Sequence, residues 1–326
     1  MVYDEGLNRV DGVSGQTATS FAECATSSDY AKAEGKLPML IGKGQNGVVM
    51  ADLTALLHVL AYSTKSKELM SFIYATLVSL VDKVPSSQLN FVVFDLNGWK
   101  VSDTSTMSED YFWNYPSRKN LIVHEQSEAL RALDHLVKEI DVRYELLRKS
   151  RTHSMKEYSE AMEKGRIVPS VEFPVKPNIV LLVADFWRFV NESKAAEISL
   201  LRILDLGKSV GVHLVAATTE QPEIMNGDVL ASFPSKVVFK TATQEASQAL
   251  LFAPDAVGLM DGEIFFVKDK YITGMKNPRK IMTEGSIDVD FANKVASLPL
   301  DSGVSKLVAA SANAEELSQI CMKYQK

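Results

Sequence analysis

Short apolar runs alternate with longer amphipathic stretches through the middle of the chain, and this alternation predicts its elements. Leu89-Asn-Phe-Val-Val-Phe-Asp95 is an apolar run closed by an acid, and Ile179-Val-Leu-Leu-Val183 is the strongest such run. A run apolar at nearly every position reads as a strand buried on both faces of a parallel sheet. The same pattern predicts strands at His58–Tyr62, Asn120–His124, Val212–Ala217, Lys236–Lys240 and Glu263–Val267. Between them the spacing changes to threes and fours. Leu130, Leu133, Val137, Ile140, Tyr144 and Leu147 predict a helix of about six turns whose other face is charged. Further helices are predicted over 72–81, over 195–209 with Gly211 closing it, and around 245–251. Strands alternating with helices imply an α/β fold, its mostly parallel central sheet covered by helices on both faces.

The ends of the chain follow a different pattern. Residues 1–35 are rich in Ser, Thr, Gly, Ala and Asp and read as a linker leading into a short helical piece around Ser20–Ala33. Leu37-Pro-Met-Leu-Ile41 and Val48-Val-Met50 flank Gly44-Gln-Asn-Gly47, which predicts a hairpin with a glycine-containing turn. Spacing from Ala309 to Tyr324 is helical. The organisation expected is therefore a linker over 1–35, one main domain over 36–285 and a helical extension over 286–326.

A formal net charge of −6 gives no overall basic field to draw the chain onto nucleic acid or an anionic membrane, so DNA contact would have to be local. Cys24 and Cys321 stand apart without a metal-ligand pattern, which fits a reducing cytoplasm. No secretory leader is recognisable, and no apolar run approaches the eighteen or so residues of a membrane span. The expectation is a cytoplasmic domain, held at a membrane only through a partner or another segment.

Several motifs carry no chemistry. Gly42-Lys-Gly44-Gln-Asn-Gly47-Val-Val49 matches the glycine-rich loop of protein kinases, but no catalytic-loop or metal-binding segment of that family follows. Val48-Val-Met50 reads as strand, where a dinucleotide fold needs a helix. His58, His124, His135, His153 and His213 show no zinc spacing. Tyr111, Phe112, Trp113 and Tyr115 have the residue types that stack bases, yet read more simply as a loop folded back on the core.

Two segments point towards nucleotide chemistry and depart from it. The strand at His58–Tyr62 runs through Ser63-Thr-Lys-Ser-Lys-Glu-Leu-Met70 into an apolar helix, the layout of a phosphate loop. A working loop, G-x-x-x-x-G-K-[ST], uses glycines to bring backbone N–H groups to the phosphates, a lysine to offset charge and a hydroxyl to ligate magnesium. Those four positions here hold Ser63, Glu68, Leu69 and Met70. By itself the segment also reads as an ordinary polar connection, although Lys65 and Lys67 would attract phosphate. The second segment, Val183-Ala-Asp-Phe186, ends the strong strand where a motor ATPase keeps a magnesium carboxylate and a base. Only Asp185 is acidic, so neither register supplies both; an acid at a helix start is the alternative reading.

Taken in order, the segments resemble the FtsK/SpoIIIE family of hexameric, RecA-like DNA translocases and its type VII secretion relatives EssC and EccC. Leu37–Leu53 resembles the hairpin before the family's phosphate loop, and Glu139-Ile-Asp-Val-Arg-Tyr144 is similar to its E-M-x-R-R-Y helix. Gly211-Val-His-Leu-Val-Ala-Ala-Thr218 with Pro222, Phe233–Phe239 and Leu259–Phe265 resemble its later strands. The resemblance covers roughly Ser20–Val267 and implies a RecA-like P-loop NTPase fold. It also implies ATP with magnesium as ligand, if binding persists at the remnant loop Ser63, Thr64, Lys65, Ser66, Lys67, Glu68, Leu69 and Met70 and the remnant acid Asp185. Other departures are Thr219, Glu220 and Gln221 in place of the family's glutamine and arginine, and Asp95-Leu-Asn97 in place of D-P-K. Losing lysine, hydroxyl and metal carboxylate together removes what phosphoryl transfer depends on. A pseudo-ATPase is therefore expected, partnered by other motor domains or by itself in a ring, with a secretion substrate or DNA as cargo. The alternatives are an active translocase using Lys65 or Lys67 with Asp185, and a standalone adaptor.

Overall fold

In the computed structural model, residues 19–268 are described apart from 97, 100, 102–106, 117, 223, 224, 226 and 252, together with 304–324. The chain enters through β1 (Thr19–Ser20) and two short helices, α1 (Phe21–Ala25) and α2 (Ser28–Ala31). Ser20 and Ser27 start these helices by accepting backbone N–H bonds with their hydroxyls. This is the short helical piece the sequence predicts; residues 1–18 of the expected linker lie outside the described residues.

The hairpin is present as β2 (Pro38–Gly44) and β3 (Gly47–Asp52), which turns through Gln45 and Asn46. A one-turn helix, α3 (Leu53–Leu56), leads to β4 (Val59–Tyr62) and then α4 (Ser66–Lys83). The core continues with β5 (Leu89–Asp95), β6 (Ile122–Val123), α5 (Gln126–Ser150) and α6 (Met155–Glu163). Next come β7 (Asn178–Ala184), α7 (Phe186–Glu192), α8 (Lys194–Leu206) and β8 (Val212–Thr218). The last elements are α9 (Gly227–Ala231), β9 (Ser235–Val238), α10 (Gln244–Leu251), β10 (Glu263–Val267), β11 (Val304–Ser311) and α11 (Ala314–Tyr324).

The strands form one sheet ordered β3-β2-β11-β10-β9-β4-β8-β7-β5-β6, with β1 beside β11. From β9 to β6 every pairing is parallel, and along β9-β10-β11-β2-β3 every pairing is antiparallel, while the short β1 pairs parallel with β11. Side chains alternate across the parallel half as a period of two requires. Val59, Ala61, Phe91, Val93, Val180, Leu182, Val215 and Ala217 join one core with α4. Leu60, Tyr62, Val92, Phe94, Leu181, Val183, Leu214 and Ala216 join the other with α5, α7 and α8. That two-sided burial explains why these strands read as continuous apolar runs.

Three elements differ from the sequence expectation. The stretch from Ala309 was expected to be helical, but Val304–Ser311 is a strand inserted between β2 and β10, and only 314–324 is helix. Its partners are remote in sequence, so local periodicity carries no record of them. Residues 269–303, and with them the first part of the expected 286–326 extension, lie outside the described residues. The helices α6 and α7 were not anticipated.

A buried ion cluster pins α5 to the sheet. The Arg143 guanidinium, 1% exposed, bonds Glu139 at 2.8 Å, the Val210 carbonyl at 2.9 Å and the Pro177 carbonyl at 2.8 Å. Lys176 bonds the same Glu139 at 2.8 Å, and Tyr144 donates its hydroxyl to the Leu206 carbonyl. Burial opposes ionisation of Glu139, but Arg143 and Lys176 outweigh it and hold the carboxyl below the usual range. The motif Glu139–Tyr144 is thus a structural clamp that joins α5, the end of α8 and the start of β7.

Candidate functional site

Parallel α/β sheets present ligand sites at the carboxyl ends of their strands. At that edge, Ser63 follows β4, Asp185 follows β7, Thr218 ends β8 and Asp95 ends β5. Because β8 lies between β4 and β7, the loop at Ser63–Met70 and Asp185 leave the sheet two strand spacings apart, about 9–10 Å. The fold therefore brings together the two segments selected from sequence, on one edge and in adjacent territory.

Within the loop, the side chains of Ser63, Lys65, Glu68, Leu69 and Met70 are committed to the protein itself. Ser63 is buried; its hydroxyl donates to a Glu68 carboxylate oxygen at 2.5 Å and accepts the Lys65 N–H at 3.0 Å. The other Glu68 oxygen accepts the Gly262 N–H at 3.3 Å. Lys65 pairs through its ammonium with Asp261 at 2.6 Å, which raises the lysine pKa and lowers that of the aspartate. Thr64, Ser66 and Lys67 are exposed. Leu69 is fully buried in the core beneath α4, and Met70 packs against the same core.

Asp185 is 6% exposed and sits at the N-cap of α7 with left-handed backbone, φ 56° and ψ 49°. A non-glycine residue in that region is uncommon and costs of order 1–3 kcal/mol. The side chain makes no cap hydrogen bond. Asp95 accepts the N–H groups of Trp99 at 2.7 Å and Val101 at 3.0 Å, so it organises the turn after β5. Asn97 lies outside the described residues. Among the described residues, no group of three His, Cys, Asp or Glu side chains is arranged to hold a metal ion.

The remaining candidates are structural. Tyr111, Phe112 and Tyr115 are buried, and Tyr111 donates its hydroxyl to the Val84 carbonyl at 3.0 Å, so the aromatic loop does fold onto the core. Gly42 has no phosphate role: a Cβ there would lie 2.1 Å from the Val308 carbonyl oxygen, because β2 and β11 approach closely at that point. Sequence reasoning missed the ties of Asp261 and Gly262 to the loop. Only the similarity of the 259–265 segment to a known strand marked that region, and nothing local linked it to Glu68.

This strand order, with β4 central, helices on both faces and a loop opening into α4, defines a RecA-like α/β domain. No protein-family profile matches the chain. In sequence it is similar to the DNA translocase FtsK of Chlamydia pneumoniae, 26% identical over 240 residues, 71% of this chain and 29% of that protein. FtsK of Helicobacter pylori strain J99 is 24% identical over 297 residues, 86% of this chain and 34% of that protein. The chain thus spans about a third of the length of these curated relatives. In fold it is similar to the pCW3 conjugation coupling protein TcpA, solved as a monomer with ATPγS: TM-score 0.66, 14% identity, covering 92% of this chain and 73% of that one. The cytoplasmic domain of the type VII secretion ATPase EccC of Thermomonospora curvata gives a TM-score of 0.63 at 15% identity, covering 94% and 34%. ATPases 2 and 3 of that EccC, solved with a signal sequence peptide, give 0.63 at 12%, covering 89% and 47%. In sequence and in fold the chain is thus similar to ATPase domains of the FtsK/SpoIIIE type.

Proposed function

We propose that this chain is a non-hydrolysing FtsK/SpoIIIE-type domain that serves a structural, regulatory or substrate-recognition role in a DNA-translocation or type VII secretion motor. One observation carries the reading: the loop's phosphate-binding positions are used for internal packing and hydrogen bonding. Leu69 stands at the lysine position and is wholly buried, while Glu68 brings a carboxylate to a glycine position. A fixed negative charge at the N-terminus of α4 offsets the partial positive charge that would draw a phosphate. These residues do not fit a magnesium triphosphate.

Two features support a role in an assembly. The relatives include translocases and secretion ATPases, and a related EccC has been solved with a signal sequence peptide. A domain that does not hydrolyse nucleotide can still bias a neighbour between two arrangements by binding one of them better. Neighbouring motor domains, or copies of the chain in a ring, are the proposed partners. DNA is less favoured as cargo because the net charge is −6. No helix among the described residues is long and apolar enough to cross a membrane. The proposed location is the cytoplasm, at a membrane face only through other segments or partners.

Titration of ATP and magnesium onto the purified chain tests the proposal. No hydrolysis above a protein-free control and no thermal stabilisation are expected, since a ligand selective for the folded state would raise the melting temperature. Steady hydrolysis abolished by Lys67→Ala or Asp185→Ala would establish the active-translocase alternative instead.

A further inference from the structure

We propose that Glu68 acts as a tethered anion that closes the phosphate loop from within and latches it to the turn at residues 260–262. The inference deepens the non-hydrolysing reading and rests on it: it says what fills the loop in place of a nucleotide.

The geometry is reciprocal. From the α4 side, the Glu68 carboxylate takes the Ser63 hydroxyl with one oxygen and the Gly262 N–H with the other. From the turn side, the Asp261 carboxylate takes the Lys65 ammonium at 2.6 Å. Two acids on two segments therefore each satisfy a donor of the other segment, across 194 residues of sequence between Glu68 and Gly262. Topology makes the meeting unavoidable. The strand β9 runs parallel to β4, and β10 runs antiparallel to β9, so the start of β10 lies at the same edge as the end of β4. Gly262, at φ +79°, takes the left-handed turn that leads into β10.

Electrostatics favours this arrangement over an external anion. A phosphate entering the loop would meet the Glu68 charge at hydrogen-bonding range and would have to displace it from two donors. It would also have to draw Lys65 away from Asp261. The latch is thus closed by default and opens only when Glu68 is neutralised or the 260–262 turn is pulled away. A neighbouring subunit that grips that turn, where Met260 is exposed, would transmit its contact straight to the loop.

The test uses the full chain and its Glu68→Gln and Asp261→Asn variants, with limited trypsin cleavage after Lys65 and Lys67 as a readout that needs no nucleotide. At Lys65, Glu68→Gln is expected to be cut about ten-fold faster than the wild type, from losing one charge-assisted hydrogen bond against local opening, and Asp261→Asn a few-fold faster, because its ion pair is exposed. Glu68→Gln is also expected to gain thermal stabilisation from inorganic triphosphate that the wild type lacks. Equal cleavage of wild type and both variants would overturn the latch, as would equal triphosphate stabilisation of wild type and Glu68→Gln. If Glu68→Gln does not fold, Asp261→Asn, which alters an exposed pair, still decides by its cleavage rate. Hydrolysis of ATP by the wild type would instead end the non-hydrolysing reading, so the two failures are distinct.

Discussion

Leu69 shows how a single side chain can depart from a motif and supply stability at once. It stands where a phosphate-loop lysine would, yet it is fully buried among the apolar residues under α4. Restoring the lysine alone is not expected to restore nucleotide binding. Leu69→Lys places an ammonium in a site built for a hydrocarbon, and an uncompensated buried charge costs roughly 3–5 kcal/mol. Chemical denaturation should register that loss while calorimetry with ATP and magnesium shows no heat of binding. A variant that is as stable as the wild type and binds ATP would refute the assignment of Leu69 to the core.

Among the elements, the antiparallel half of the sheet depends on one close approach. Gly42 in β2 lies against the backbone of β11, where an added Cβ would meet the Val308 carbonyl oxygen at 2.1 Å. Gly42→Ala must push the strands apart, and overpacking of this kind costs about 1–3 kcal/mol. Gly258→Ala provides the control, because nothing lies within 4 Å of its added Cβ. A drop in melting temperature for the first variant and none for the second is the expected outcome. The glycines of the 42–47 segment thus resemble a nucleotide loop in sequence only; their spacing reflects strand contact and the hairpin turn.

For the molecule as a whole, two buried imidazoles set the response to acid. His58 accepts the Leu214 N–H at 3.0 Å, and His213 donates to the Leu57 carbonyl at 2.8 Å, which joins the starts of β4 and β8 at the edge opposite the loop. Burial pushes His58 down to about 3, helped by the neighbouring His213, and burial pushes His213 down to about 4. Both values lie below the ordinary value of about 6.5, so the unfolded chain binds more protons than the folded one between those limits. Stability is then complete above about pH 6.5 and falls as pH drops, by about 1.4 kcal/mol per pH unit for each imidazole. Denaturant midpoints at about pH 7 and about pH 5 should differ accordingly, and His213→Asn should reduce that difference. A midpoint independent of pH across this interval would show that the imidazoles are not buried as neutral groups.

The sequence by itself determined the parallel half of the domain, because strands buried on both faces leave uninterrupted apolar runs such as Ile179–Val183. It also determined the four side chains at the loop's key positions, Ser63, Glu68, Leu69 and Met70, since their departure from the pattern is a matter of identity and spacing. Tertiary structure alone decided where those side chains go: that Leu69 points into the core, and that Glu68 and Lys65 meet Gly262 and Asp261. It likewise decided that Val304–Ser311 enters the sheet between β2 and β10 as a strand. Each of these outcomes depends on partners far away in the chain, and a pairing between remote segments leaves no local period for a sequence to display.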